Sequence, residues 1–121
     1  MVWILIGLGA GLGSVLRYEI GRQISRKNIK HKIFATFAVN ISGAMLLGIV
    51  VGLSLEGLWW SLLADGFLGG FTTFSTLMVE GVELVRGNQK KNALLYFTLT
   101  MILGITAFLL GNILGVWFYS R

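Results

Sequence analysis

The stretch Gly66-Phe67-Leu68-Gly69-Gly70-Phe71-Thr72-Thr73-Phe74-Ser75-Thr76-Leu77 gathers three glycines and four hydroxyl side chains into one short run, and Asn40, Tyr96 and Thr100 add uncharged polar groups elsewhere. None of these is equipped to make or break a covalent bond. Cysteine is absent, the single histidine, His31, has no partner motif, and no nucleophile stands beside a base. The run Gly66 to Gly70 also lacks the lysine that completes a phosphate-binding loop. An enzyme is therefore not expected, and His31 is assigned no metal-ligating or proton-shuttling role. What the polar set offers is hydrogen-bond donors without fixed charge. The amide of Asn40 gives two donors, which suit a small hard anion. The same amide can equally tie two membrane helices together.

The elements that must position these groups are apolar. Hydrophobic residues make up 55% of the 121-residue chain and charged ones 12%, a balance unsuited to a soluble globule. They fall in four blocks, roughly 2 to 20, 33 to 55, 58 to 84 and 93 to 119, each long enough for a hydrocarbon core of about 30 Å. The chain reads as a single domain, 1–121, of four transmembrane helices. The glycine and hydroxyl run lies inside the third block and is a poor recipe for continuous helix. With no proline in the chain, a helix break must come from glycine and polar side chains. Irregular backbone at that depth is tolerated where it is buried in protein or lines a cavity, so the break marks a site.

Charge distribution sets the orientation. The net charge of +5 would suit a nucleic acid, yet Arg22, Arg26, Lys27, Lys30 and Lys32 fall between the first two spans and Arg86, Lys90 and Lys91 between the last two. Those loops share one side of the membrane. The other side holds Arg121 and the short connection with Glu56, so the positive-inside rule puts the basic loops in the cytoplasm and both termini outside. No nucleic-acid partner is expected; the basic stretch from Gly21 to Lys32 reads as a solvated loop or an amphipathic segment on anionic lipid. No cleavable signal peptide is expected either, because the first block lacks a basic lead and runs into Arg17-Tyr18-Glu19.

Within the spans, Gly9 and Gly13 fit a small-xxx-small packing face. Arg17, at the end of the first block, must snorkel, pair or face water. Tyr96 and Thr100 share one helical face, and a membrane threonine often bonds its own i−4 carbonyl. Trp59, Trp60, Trp117 and Tyr119 read as interfacial anchors. Asp65, well inside the third block, is a functional-site hypothesis by default.

The run Gly69-Gly70-Phe71-Thr72-Thr73-Phe74-Ser75-Thr76 resembles the signature of the Fluc (CrcB-type) fluoride channels. Two weaker matches precede it in the right order, Ala10-Gly11-Leu12-Gly13-Ser14-Val15-Leu16-Arg17-Tyr18 and Thr36-Phe37-Ala38-Val39-Asn40-Ile41-Ser42-Gly43. The fourth span is similar in spacing. The resemblance implies an all-α channel subunit of the plasma membrane, with a third helix broken at mid-membrane and antiparallel (dual-topology-type) dimers. It assigns the fluoride pathway to Asn40, Phe74, Ser75, Thr76, Tyr96 and Thr100, with Arg17 at an electropositive vestibule and Glu80 near the pore mouth. It further implies a structural Na+ held at the dimer axis by backbone carbonyls near Gly69 and Thr72.

Two positions depart from the family pattern. Leu77 stands where a second pore phenylalanine is usual, and Asp65 where an uncharged residue is usual. Each pore of such a dimer draws its phenylalanines from both subunits, so Leu77 leaves one ring position empty; Phe71 lies on the wrong side of the repeat to fill it. Combined with the one-sided Lys/Arg distribution, this favours a heterodimer with an oppositely biased paralogue over a homodimer. Two other readings compete with a conducting channel. One is a small proton-coupled exporter, which needs a carboxylate in the first span where this chain has none before Glu19. The other is a non-conducting subunit that completes a paralogue's pore.

Overall fold

The computed structural model describes residues 1–24 and 29–121, with Ile29 and Lys30 described as backbone. The loop reading of Arg26 and Lys27 lies outside the described residues. Among the described residues the regular structure is helical. Helix α1 covers Val2–Ile24 and α2 covers Ile29–Gly52. Gly57, at a φ of 63°, opens the third span. Helix α3, residues 57–71, begins as α-helix over Gly57–Trp60, widens to π-type turns over Ser61–Leu68 and closes with one α turn over Gly69–Phe71. After an interruption at 72–74, α4 runs Ser75–Arg86, and α5 covers Lys90–Tyr119. Four spans are long and apolar enough to cross a membrane: Val2–Ile24, His31–Gly52, Gly57–Arg86 and Lys90–Tyr119. Large apolar side chains such as Trp3, Leu12, Leu94 and Ile113 stand exposed around them, as a bilayer-facing surface requires.

Close helix contact is made by glycine facing glycine. On α1, a Cβ at Gly9 or Gly13 would strike the carbonyls of Leu62 and Phe67, and on α3 one at Gly66 or Gly70 would strike those of Ile6 and Ala10. The second crossing repeats the arrangement. Gly48 and Gly52 of α2 lie against the carbonyls of Phe108 and Asn112, while Gly111 and Gly115 of α5 lie against those of Met45 and Ile49. Each crossing pairs two small-xxx-small stripes, so backbones approach where apolar solvent supplies no driving force between helices.

This packing revises the expected cause of the break. Gly66, Gly69 and Gly70 all remain helical. Gly66 and Gly70 serve the α1 crossing, and the chain departs from helix at Thr72, whose φ and ψ are −81° and 158°. Polar side chains, rather than glycine freedom, hold the interruption open.

Candidate functional site: a clamped break in the third span

Interrupting a membrane helix strips backbone groups of their partners, and neighbouring helices replace them one by one. Asn40 does most of this. Its Nδ2 donates to the Thr73 carbonyl at 2.8 Å and its Oδ1 accepts the Thr73 amide at 2.8 Å, a two-bond bridge across the break. From α1, Ser14 donates to the Gly70 carbonyl at 3.3 Å and Arg17 to the Thr72 carbonyl at 3.2 Å. Thr72 closes the last turn of α3 by donating its own hydroxyl to the Leu68 carbonyl at 2.9 Å. Thr73 Oγ1 accepts the Thr76 amide at 3.3 Å, giving the start of α4 the service an N-cap side chain provides.

Spacing on α2 explains why these groups meet. Thr36, Asn40 and Gly43 lie at i, i+4 and i+7 on one helical face. That face lies along the third span: Thr36 donates to the Glu80 carboxylate, Asn40 bridges Thr73, and Gly43 leaves room for the Thr72 methyl. The sequence alone assigns no role to Thr36 or Thr73. The four-residue step from Thr36 to Asn40 was the available signal.

Thr73 lines two cavities at once. On one side a cleft of about 340 Å³ is walled by Arg17, Arg22, Lys32, Thr36 and Thr76. On the other, an open groove of about 400 Å³ is lined by Asn40, Gly69, Thr72, Phe74, Leu77 and Thr100. The first is cationic and the second almost wholly apolar, apart from the amide, hydroxyls and backbone of the break. Phe74 projects from the break with 71% of its surface exposed, whereas Phe71 is buried and stacks on Phe67 at 5.8 Å. Leu77 is buried in the groove wall. Ser75 and Thr76 are exposed at the start of α4, within 3.5 and 3.1 Å of the Thr73 hydroxyl.

The remaining residues lie deeper or apart. Thr100 lines the groove and donates to the Tyr96 carbonyl at 2.7 Å. Tyr96 is buried and lines a different, apolar cleft with Ile33, Phe37 and Leu99. So Tyr96 and Thr100, although four residues apart, open onto separate cavities. Glu80 is 4% exposed; one oxygen takes the Thr36 hydroxyl, while Glu80 Oε2 and the Tyr96 hydroxyl are buried without partners among the described residues. Asp65 is exposed on α3. Glu83 does not pair with Arg86; the ion pair found among the described residues is Arg22 with Glu19 at 2.7 Å. Trp117 takes the Arg121 guanidinium over its ring at 4.1 Å, near the C-terminal end of α5.

The Gly69 carbonyl is not among the backbone groups so replaced at the break. The amide that would close a helical ring on Gly69 O belongs to Thr73, and Asn40 has taken it. Gly69 itself is exposed, part-way along the span. Its carbonyl oxygen can accept a donor or a hard cation, and the Thr72 carbonyl beside it keeps a second lone pair beyond the Arg17 bond.

Comparison with known proteins agrees with this architecture. A family model described as CrcB-like protein, Camphor Resistance (CrcB), matches residues 4–112. A Clostridium acetobutylicum protein named Fluoride-specific ion channel FluC 2 is 43% identical over 115 residues, covering 95% of this chain and 98% of its own length. Fluoride-specific ion channel FluC 1 of Listeria monocytogenes is 41% identical over 114 residues, covering 94% and 97%. Its namesake in Ligilactobacillus salivarius is 44% identical over 112 residues, covering 93% and 97%. With four spans, a broken third helix and similarity along nearly its whole length, the chain belongs to the CrcB family of membrane proteins.

Proposed function

We propose that this chain is a subunit of a fluoride-selective channel that lets fluoride leave the cell passively, working as an antiparallel dimer with a non-identical partner. The observation that carries the reading is the clamped break, where uncharged donors sit between a cationic cleft and a mostly apolar groove. Fluoride is small and holds water strongly, so a selective path must replace that water with donors while binding weakly enough to release the ion. Arg17, Arg22 and Lys32 raise the local anion concentration at the entrance. Ser75, Thr76 and the second Asn40 N–H then serve as donors without a full charge that would trap the ion, and Thr100, whose hydroxyl donates to the Tyr96 carbonyl, joins them by turning that hydroxyl into the groove. Phe74 turns the positive edge of its ring quadrupole to the anion. The Tyr96 hydroxyl supplies a further donor from the separate cleft it lines with Ile33 and Phe37, and Glu80, oriented by Thr36, sits near the mouth.

The dimer reading is supported by Gly69, an exposed residue whose carbonyl has lost its helical amide and to which lipid offers no donor, and by the exposed ring of Phe74 beside it. Gly69 and Thr72 carbonyls from two inverted subunits would hold a structural Na+, since hard cations take oxygen ligands. Such an ion neutralises the half-helix C-termini that meet there. The Lys/Arg asymmetry favours both termini outside and an oppositely biased partner. Because Leu77 fills the second ring position, one of the two pores of that pair is expected to be degenerate. Fluoride efflux from liposomes at unchanged pH tests the function, with this chain alone and then with its paralogue. Proton-independent fluoride flux supports the channel, drug/proton exchange an exporter, and silence without the paralogue an accessory role.

A further inference from the structure

The cationic cleft and the mostly apolar groove have one lining residue in common, Thr73. Its backbone is not free to widen the partition between them. Asn40 holds the Thr73 amide and the Thr73 carbonyl at 2.8 Å each, and Arg17 holds the preceding carbonyl, that of Thr72. The side chain is confined as well, because a β-branched residue is restricted at χ1 and this one is 8% exposed. Its methyl and hydroxyl are therefore a fixed part of the wall between the two cavities.

The hydroxyl also sets the direction of its neighbours. Thr73 Oγ1 accepts the Thr76 amide at 3.3 Å and donates to Thr76 Oγ1 at 3.1 Å, with Ser75 Oγ 3.5 Å away. A hydroxyl carries one proton, so a Thr76 oxygen that accepts from Thr73 keeps its own proton for another acceptor. Among the described residues that proton has none, and Thr76 is exposed in the wall of the cationic cleft. Accepting one hydrogen bond also strengthens the next that a hydroxyl donates. A hydroxyl held this way offers an anion its proton; one turned the other way offers lone pairs. We infer that Thr73 is a positioning residue that sets anion selectivity at the break. Its hydroxyl turns the Thr76 O–H toward the anion, and its methyl keeps the opening between cleft and groove too narrow for a larger halide. The inference rests on the fluoride reading above.

Two substitutions separate the hydroxyl from the methyl. Thr73→Val keeps the shape and removes the hydroxyl, whereas Thr73→Ser keeps the hydroxyl and removes the methyl. Fluoride and chloride efflux are measured from vesicles holding the native assembly, with thermal unfolding on the same preparations. Thr73→Val is expected to lower fluoride efflux about tenfold, the effect of losing one hydrogen bond to a charged group, while chloride efflux stays as slow as in wild type. Thr73→Ser should keep fluoride efflux within about twofold of wild type and raise chloride efflux about tenfold, because the filter loses its fit to the smaller ion. Should Thr73→Val fail to fold, Thr76→Val takes its place: it removes the oriented proton, leaves Thr73 to cap α4, and is expected to show the same loss of fluoride efflux. A residue that merely caps α4 predicts a Thr73→Ser variant equal to wild type for both ions, and that result, or wild-type fluoride efflux in the valine variants, would overturn the inference. Wild-type efflux is read first. Its absence overturns the channel reading and this inference with it, whereas normal wild-type efflux with unmoved variants removes the role of Thr73 alone.

Discussion

Asn40 and Thr73 are joined by two hydrogen bonds of 2.8 Å, amide nitrogen to carbonyl and amide oxygen to backbone N–H, so that one side chain of α2 replaces both helical partners of a residue in the third span. Removing either partner of such a bridge leaves buried backbone unpaired, at about 1–3 kcal/mol per group. Asn40→Ala should therefore lower thermal stability in detergent by several degrees and abolish flux. Asn40→Asp retains the acceptor for the Thr73 amide but replaces the donor with an anion. Its expected signature is a stability loss smaller than that of Asn40→Ala, with flux reduced at least as far. Unfolding curves and efflux rates on the same preparations separate the two effects.

Glycine positions divide sharply between those in contact and those in open space. A Cβ at Gly111 would strike the Met45 carbonyl, whereas at Gly7 nothing lies within 4 Å. Gly111→Ala is expected to cost about 1–3 kcal/mol through forced separation of α2 and α5. Gly7→Ala should be no less stable than wild type. Thermal unfolding of both variants in one detergent checks the contrast.

Thr36 holds a carboxylate that is otherwise buried with a free oxygen. Thr36→Val removes that hydroxyl at nearly constant volume and should destabilise the fold by about 1–3 kcal/mol, the cost of leaving a buried polar group without its partner. Glu80→Gln can keep the Thr36 bond and should cost less. If the two variants are equally stable, the pair is not a structural unit.

Phe74 and Leu77 make opposite predictions. Phe74→Ala should eliminate fluoride flux while leaving stability close to wild type, because the ring is mostly exposed in the single chain and contributes little to its core. Leu77→Phe should raise flux in the native assembly by restoring a second ring to the groove. Single-channel or bulk efflux recordings of the two variants beside wild type decide both.

Much of this was legible in the sequence because lipid restricts the options. Four apolar blocks became four spans, Gly9 and Gly13 became a packing stripe, and the interrupted third span fell within the predicted run. What periodicity could not supply was the reason for the interruption. Glycine density pointed to Gly66, Gly69 and Gly70, yet two of those serve the α1 crossing and the chain bends at Thr72–Phe74, where Asn40 competes with the helix for Thr73. That competition is a contact across 33 residues of chain, invisible to local propensity. The same holds for Arg17: a snorkelling or vestibule arginine reads identically in sequence, and only packing brings it to the Thr72 carbonyl.

The central claim is that uncharged donors at the clamped break carry a dehydrated fluoride ion, and it is tested most directly by anion efflux from vesicles holding the native assembly, with no pH gradient, before and after Phe74→Ala. The account predicts fluoride efflux that far exceeds chloride efflux, needs no proton gradient and disappears in the variant. Flux that requires a proton gradient, passes chloride equally well, or survives the loss of Phe74 would contradict it.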